Sequence, residues 1–314
     1  MIDRCYIEIT NSCNLNCHFC PKHTRQKRQL TAEEFSLITD KLRGKACFLY
    51  FHLMGEPLLH PLLPQFVTMA RAKGFKTVLT SNGTLLHRAM NLLDTLPHKI
   101  QLSLHQHESN GKGSLPDYID EVMQFATQAA AKGTCIVLRL WNQGGLDHEN
   151  QQVMELIERY VPRPWRERPD GFRLADNLYL EFDRKFEWPT AEGENLASEN
   201  QSEDSSEEKA EGSSEEKAEG SSESQKGTKR EVFCKALIKQ VGVLSDGSVV
   251  PCCLDHNGDV VLGNLLHQSL EEVLSSPRAQ ALIEGFKRHT ATERLCQNCE
   301  SALVRNSFRG KKRK

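Results

Sequence analysis

Cys13, Cys17 and Cys20 stand at C-x3-C-x2-C spacing directly after the apolar-alternating run Cys5-Tyr6-Ile7-Glu8-Ile9. Thiolates prefer soft metals. Three of them in one short loop can hold three irons of a 4Fe-4S cluster and leave the fourth iron without a protein ligand. An iron of that kind is open to chemistry. The other reading of these residue types is a zinc site completed by His18 or His23, but zinc loops usually pair cysteines as C-x2-C with a second pair elsewhere.

A second set lies far along the chain. Cys234 and Cys252 are spaced C-x17-C, and Cys296-Gln297-Asn298-Cys299 adds a C-x2-C pair. Between the first two, Val241-Gly242-Val243-Leu244, the turn Ser245-Asp246-Gly247-Ser248 and Val249-Val250-Pro251-Cys252-Cys253 predict a hairpin that presents Cys252 at the end of its second strand. Strand alternation sends Cys252 and Cys253 to opposite faces, so one of them faces the other thiols. On residues alone, a four-cysteine zinc ribbon and an iron-sulfur site are nearly even. Cys5, Cys47 and Cys135 fall in predicted strands and read as inert buried thiols.

Alternating strand-like and helix-like segments must position these loops. Cys5 to Ile9 is the first strand; Thr31-Ala32-Glu33-Glu34 is a capping pattern that opens a helix; Cys47 to Leu53 is a buried strand closed by the turn Met54-Gly55-Glu56-Pro57. Further strands are expected at Phe75 to Thr80, Ile100 to Leu104, Cys135 to Leu140 and Leu178 to Phe182, with helices at 62–73, 88–96, 116–132 and 153–160. This order predicts an α/β fold with a parallel sheet, and six strand-helix repeats are too few to close an eight-stranded barrel.

The C-x3-C-x2-C motif, with Phe19 just before its last cysteine and its place at a strand end, resembles the radical S-adenosylmethionine (SAM) superfamily. The stretch Cys234-x12-Gly247-x4-Cys252 resembles the opening of the SPASM domain, in the shorter one-cluster form called twitch. The resemblance implies a partial (β/α)6 TIM-like barrel over residues 1–188 and a small C-terminal auxiliary-cluster domain over 231–304. It implies that Cys13, Cys17 and Cys20 ligate a 4Fe-4S cluster whose open iron chelates SAM, and that Cys234, Cys252, Cys296 and Cys299 hold a second 4Fe-4S cluster. Reductive cleavage of SAM to a 5'-deoxyadenosyl radical would abstract a substrate hydrogen atom, with the auxiliary cluster as electron acceptor.

Met54-Gly55-Glu56-Pro57 resembles the family's Gly-Gly-Glu-Pro turn with Met54 in place of the first glycine, which implies that strand-end carbonyls and Glu56 meet the SAM ammonium. Phe19, Gly55 and Pro57 are implied SAM neighbours, Ser81 and Asn82 ribose contacts, and Ser103 and Arg139 carboxylate contacts. Arginine in an apolar strand must find an anion, whereas Ser81-Asn82-Gly83 also reads as an ordinary turn. His105, His107, Asp183 and Asp255 are candidates for acid-base work, His105 first.

Composition bounds the rest. The 314 residues are 38% apolar, and no apolar run is long enough to span a bilayer. With no charged-apolar-small leader before Cys13, a cytoplasmic protein is expected, where clustered cysteines favour metal over disulfides. Residues 189–230 carry 12 acids against 5 bases, so the net charge of −2 leaves +5 on the remainder. This segment repeats Ser-Ser-Glu-Glu-Lys-Ala-Glu-Gly at 205–212 and 213–220 and is expected to be a disordered linker. The basic tail 305–314 reads as a solvated end, so no nucleic acid partner is expected.

The function expected from the resemblance is dehydrogenase-like oxidation of a carbohydrate or small-molecule alcohol, with a reductant such as flavodoxin or ferredoxin as partner. A peptide or protein maturase of the SPASM type is the alternative, although no winged-helix extension fits ahead of Cys5. A non-catalytic zinc-binding interaction protein is the remote third reading.

Overall fold

The computed structural model describes residues 2–110, 113–185, 187–191 and 231–303. The acidic repeat and the basic tail lie outside the described residues. In the first part, strands and helices run β1 (Ile2–Ile7), α1 (Ala32–Leu42), β2 (Ala46–Phe51), α2 (Leu63–Ala72), β3 (Lys76–Ser81), β4 (Lys99–Ser103), α3 (Gln106–Asn110), α4 (Leu115–Ala131), β5 (Cys135–Gln143), α5 (Asn150–Glu158), β6 (Arg166–Arg168), β7 (Gly171–Ala175) and β8 (Leu178–Arg184). The second part supplies β9 (Gln240–Val243), β10 (Ser248–Val250), β11 (Gly263–Asn264), α6 (Leu270–Leu274), α7 (Pro277–Lys287), α8 (Arg294–Gln297) and α9 (Glu300–Leu303).

Local chemistry sets the helix starts. Thr31 caps α1 through a capping box with Glu34, and Ser114 and Ser276 cap α4 and α7 ahead of a proline in the first turn. Each such cap is worth about 1 kcal/mol. The helix expected at 88–96 is instead two short 3-10 turns, Leu86–Arg88 and Met90–Asp94. Asn91, Asp94 and Thr95 are poor helix formers, and Pro97 follows closely.

Strands β1, β2, β3, β4, β5 and β8 are mutually parallel neighbours, which is the partial six-stranded barrel. The barrel stays open. On one side β7 and β6 continue from β8 as an antiparallel pair; on the other, β9 lies parallel to β1 and carries β10 and β11. The C-terminal part is thus grafted onto the barrel's first strand. The β6–β7 pair has no counterpart in the sequence expectation, because exposed Arg166-Glu167-Arg168 shows no apolar alternation.

Strand alternation divides the sheet into two faces. Cys5, Ile7, Leu49, Phe51, Leu79, Ile100, Leu102, Ile136, Leu138, Leu178 and Leu180 are buried in one core that also contains the helix residues Phe35, Phe66, Val122, Phe125 and Leu156. Phe35 and Phe66 stack with ring centroids 4.2 Å apart, locking α1 to α2. The alternate residues, including Tyr6, Glu8, Tyr50, His52, Ser103, Arg139 and Glu181, make a polar inner face. Polar side chains gathered inside a barrel await a ligand.

Candidate functional site

The cysteine loop leaves the C-terminal end of β1 and crosses the mouth of the barrel. Asn14 bonds the Thr84 hydroxyl at 2.8 Å, the Asn16 N–H bonds Asn110 at 3.2 Å, and His18 meets the Ser109 hydroxyl through its N–H at 3.1 Å and its ring at 2.7 Å. Polar donors point at the sulfurs. Cys13 Sγ accepts from the Leu15 N–H at 3.4 Å and the Asn82 amide at 3.9 Å, and Cys17 Sγ accepts from the Asn110 amide at 3.1 Å. Burial pushes the Cys13 and Cys17 thiols up and Cys20 to about 12, and Cys20 also feels the charges of Cys17 and Cys13. Crowded, hydrogen-bonded thiols of this kind suit metal-bound thiolates, whose charge the irons neutralise.

The Met54 turn is pressed against this loop. Gly55 has φ +78°, and a Cβ there would stand 2.3 Å from the Thr10 carbonyl oxygen. The Glu56 N–H donates to the Ser12 carbonyl at 2.8 Å. Glu56 itself is turned inward: its carboxylate accepts from the Leu58 N–H at 2.9 Å and the Asn82 N–H at 2.8 Å. Burial raises it to about 7 despite these donors. Pro57, also buried, opens the 3-10 turn Pro57–Leu59 that Glu56 caps.

Asn82 stands at the junction of loop and turn, with its amide on Asn14 at 3.0 Å and its oxygen accepting from Thr84. Ser81 lies behind it. Buried, it accepts the Gly83 N–H at 3.0 Å, and its hydroxyl also bonds Glu56. The expected ribose contact therefore finds Asn82 on the open side and Ser81 on the helix side.

Ser103, Arg139 and Glu181 form one row across β4, β5 and β8. Arg139 lies over the Trp141 ring at 3.9 Å, and its buried Nε has no hydrogen-bond partner. Burial brings this guanidinium down to about 10, opposed chiefly by the charge of Glu181. The His52 ring packs on Tyr6 and Tyr50; its buried Nδ1 is also unpartnered, and burial lowers it to about 3. These orphaned polar atoms face the barrel interior.

His105 lies in the same region. Its ring is 5.2 Å from that of Phe19, and Nδ1 lies 3.2 Å from the Arg139 carbonyl oxygen and 3.4 Å from the Trp141 N–H. Burial lowers it to about 4, opposed by the Arg139 backbone carbonyl, which raises it. His107 pairs with Glu149 at 2.8 Å, and Asp255 accepts the Asp259 and Val260 N–H groups at 2.8 and 2.9 Å. Both have local structural partners, and Asp183 is exposed at the strand end.

The second cysteine set converges as well. Cys252 is pushed well up by burial and by the charges of Cys253, Cys234 and Cys296, while Cys299 feels Cys234 and Cys296 feels both Cys234 and Cys299. Backbone N–H groups again serve the sulfurs: Ala236 to Cys234 at 3.4 Å, Leu254 to Cys252, and Ala302 and Ser301 to Cys299. Cys253 turns the other way. It hydrogen-bonds Tyr6 on the inner face and feels Arg4 and Cys299, with burial placing it at about 11. No three His, Cys, Asp or Glu side chains among the described residues close on a single ion. An iron-sulfur cluster takes more room, because it interposes several irons and sulfides between its thiolates.

Glu8 is the site residue that sequence reasoning missed. At the inner end of β1 and fully buried, it accepts both terminal nitrogens of Arg25 at 2.7 and 2.6 Å, the Met54 N–H at 3.3 Å, and the Ser245 N–H and hydroxyl at 3.1 and 2.8 Å. The signal was present: a carboxylate inside an apolar alternating strand needs a cation, as the arginine at position 139 needs an anion. Asn110, which reaches Cys17, carries no sequence signal of its own.

With this geometry, two family models match: the radical SAM superfamily over residues 7–157, and SPASM, an iron-sulfur cluster-binding domain, over 234–300. Residues 7–157 thus carry a radical SAM domain and residues 234–300 a C-terminal SPASM domain, and these domains imply a SAM-binding 4Fe-4S cluster, auxiliary cluster binding and SAM. Among relatives, it is 38% identical over 96 residues to the GTP 3',8-cyclase of Chlorobaculum tepidum; the match spans 29% of this chain and 29% of that protein. Two solved structures share the fold at 15% identity. BtrN in complex with AdoMet and 2-DOIA has a TM-score of 0.55, with 95% of this chain and 93% of that one covered. Native anSMEcpe with bound AdoMet and Kp18Cys peptide has 0.59, with 99% and 98% covered. No helix among the described residues is long and apolar enough to cross a membrane.

Proposed function

We propose that this chain is a radical SAM oxidoreductase that dehydrogenates an alcohol of the carbohydrate or small-molecule class. The observation that carries the reading is the convergence of Cys234, Cys252, Cys296 and Cys299, four thiols that would together ligate an auxiliary cluster. When bound, the clusters and SAM supply the 5'-deoxyadenosyl radical that takes a hydrogen atom and the acceptor for the remaining electron. Likeness in fold to BtrN over 95% of the chain supports this choice.

The chain's own residues bind and orient. Cys13, Cys17 and Cys20 are the ligands of the first cluster, with Asn82 and Asn110 tuning two of the sulfurs by hydrogen bonds. When SAM binds, carbonyls of the Met54 turn would hold its ammonium, Ser103 and Arg139 its carboxylate and Asn82 its ribose, with Phe19 flanking it. Glu56 acts behind the turn, fixing the backbone of Leu58 and Asn82. His105 backs the Phe19 ring and is the first candidate for acid-base work on substrate. The division into a barrel over 1–188, a linker over 189–230, an auxiliary domain over 231–304 and a tail belongs to the same proposal, as does a cytoplasmic, reductant-fed setting.

The peptide or protein maturase is the second reading, favoured by the likeness to the peptide-bound anSMEcpe. One experiment tests the common core. Anaerobically reconstituted protein should hold about eight irons per chain, with one cluster signal perturbed by SAM in Mössbauer and electron paramagnetic resonance (EPR) spectra. Replacing Cys13, Cys17 and Cys20 together with Ala should abolish 5'-deoxyadenosine formation and leave the second cluster. Undiminished SAM cleavage in that variant sinks the assignment. Candidate alcohols and peptides then compete as inducers of 5'-deoxyadenosine formation, which separates the two substrate classes.

A further inference from the structure

We propose that Glu8 is a positioning residue through which the auxiliary domain sets the affinity of the barrel for SAM. The inference rests on the reading that the Met54 turn holds SAM. Its own basis is the set of donors around one buried carboxylate.

The strand register brings the parts together. Ile7 pairs with Val243, the Glu8 N–H donates to the Val243 carbonyl at 2.9 Å, and the hairpin turn that follows β9 therefore lies against the Glu8 side chain. One oxygen takes the Ser245 N–H at 3.1 Å, the Ser245 hydroxyl at 2.8 Å and one Arg25 nitrogen at 2.7 Å. The other takes the second Arg25 nitrogen at 2.6 Å and the Met54 N–H at 3.3 Å. Arg25, which leaves the cysteine loop, also reaches the His256 carbonyl at 3.1 Å, and Thr24 beside it bonds Asn257 at 3.0 Å. A single rigid group thus joins the cysteine loop, the Met54 turn and the auxiliary domain.

A buried carboxylate offers about four acceptor positions and holds its place only while its donors hold theirs. If the hairpin turn shifts, Glu8 loses the Ser245 donors and follows Arg25. The Met54 N–H then loses its acceptor at the end of the strand whose turn meets SAM. Coupling between two sites is reciprocal, so SAM binding must favour the docked auxiliary domain by the same factor. Barrel and auxiliary domain are therefore one binding unit.

The test uses the reconstituted full chain, with SAM as probe. Affinity is measured by equilibrium dialysis per mole of first-set cluster, so that iron loss does not imitate weak binding, and the SAM-induced change in the EPR spectrum is recorded alongside. Ser245→Ala should weaken SAM binding by roughly three- to tenfold, the size of one ordinary hydrogen bond. Ser245→Thr, which keeps the hydroxyl, should restore it. Cys296→Ser with Cys299→Ser should weaken SAM in the same direction, and adding Ser245→Ala to that pair should cost no more than the larger single effect, because both act through one contact. Equal affinity in Ser245→Ala and wild type, or fully additive losses, overturns the proposal. A wild-type protein that neither binds SAM nor shows a SAM-perturbed cluster signal overturns the reading of the Met54 turn instead.

Discussion

Gly55→Ala is the sharpest test of how the SAM turn is built. Two costs are separable. The first is backbone conformation: at φ +78° an L-residue is disfavoured by about 1–2 kcal/mol. The second is collision, since the new Cβ would lie 2.3 Å from the Thr10 oxygen, 2.9 Å from the Ser12 oxygen and 3.0 Å from the Asn11 carbonyl carbon. All three are backbone atoms, so no side chain can swing aside. Relief requires the turn to move off the cysteine loop, which loses the 2.8 Å bond from the Glu56 N–H to Ser12, about 1 kcal/mol, and adds about 1–3 kcal/mol of overpacking strain. Gly133→Ala is the matched control, with φ +91° and nothing within 4 Å of the point where its methyl group would stand. The difference between the two variants isolates the collision at about 2–4 kcal/mol, or roughly 5–10 °C in midpoint. Anaerobic thermal unfolding and SAM dialysis on both proteins read it out. Gly55→Ala should melt below Gly133→Ala and lose SAM binding by more than tenfold while Gly133→Ala retains it. If the two melt together and both bind SAM as wild type does, the close approach of turn and loop is wrong.

Two further outcomes follow from the side-chain environments. Cys252→Ser should lose the auxiliary iron, whereas Cys253→Ser should keep both clusters, because Cys253 faces Tyr6; iron and sulfide analysis with EPR decides, and equal iron loss in both variants removes the distinction. Glu56 has a folded value of about 7 against 4.5 for a free carboxyl, so the fold favours its neutral form. The stability this contributes is complete below about 4.5 and is lost as pH rises through 7, about 3 kcal/mol in all. Wild type should therefore lose more thermal stability than Glu56→Gln between pH 5 and pH 8, and parallel pH dependences would show that Glu56 is already ionised in the fold.

Much of the barrel was legible because its signals are local. Apolar strand runs, the Thr31 cap and glycines after helices reveal elements whatever their partners, and thiols at fixed spacing reveal metal chemistry. Long-range pairing is not local. Nothing in Val241 to Leu244 announces that it will lie parallel to a strand more than 230 residues earlier, with Val243 beside Ile7. Environments were illegible for the same reason. His105 is the right residue type at the right strand end, but burial lowers its proton affinity while the β5 backbone at Arg139 raises it, and that balance depends on packing from several segments. Ser81 illustrates a rule that was available: with Thr80 and Asn82 on the inner face, strand period alone directs Ser81 to the helices.

The first strand shows why the site needs both halves of the chain. Its outward residues Cys5 and Ile7 are fully buried among the helices and fix the strand in depth. Its inward residues carry the chemistry: Tyr6 meets Cys253 beside the auxiliary thiols, and Glu8 meets Arg25 and the Met54 turn. Its free edge accepts β9, and its end delivers the cysteine loop. Tyr6, Leu53, Met54, Leu244 and Val250 form one small apolar cluster against which both Cys20 and Cys253 pack, so the first cysteine set and the second unit touch the same few side chains. A displacement of the auxiliary hairpin cannot be absorbed by empty space there. It must be transmitted to the residues beside Cys20, because close-packed interiors pass on strain.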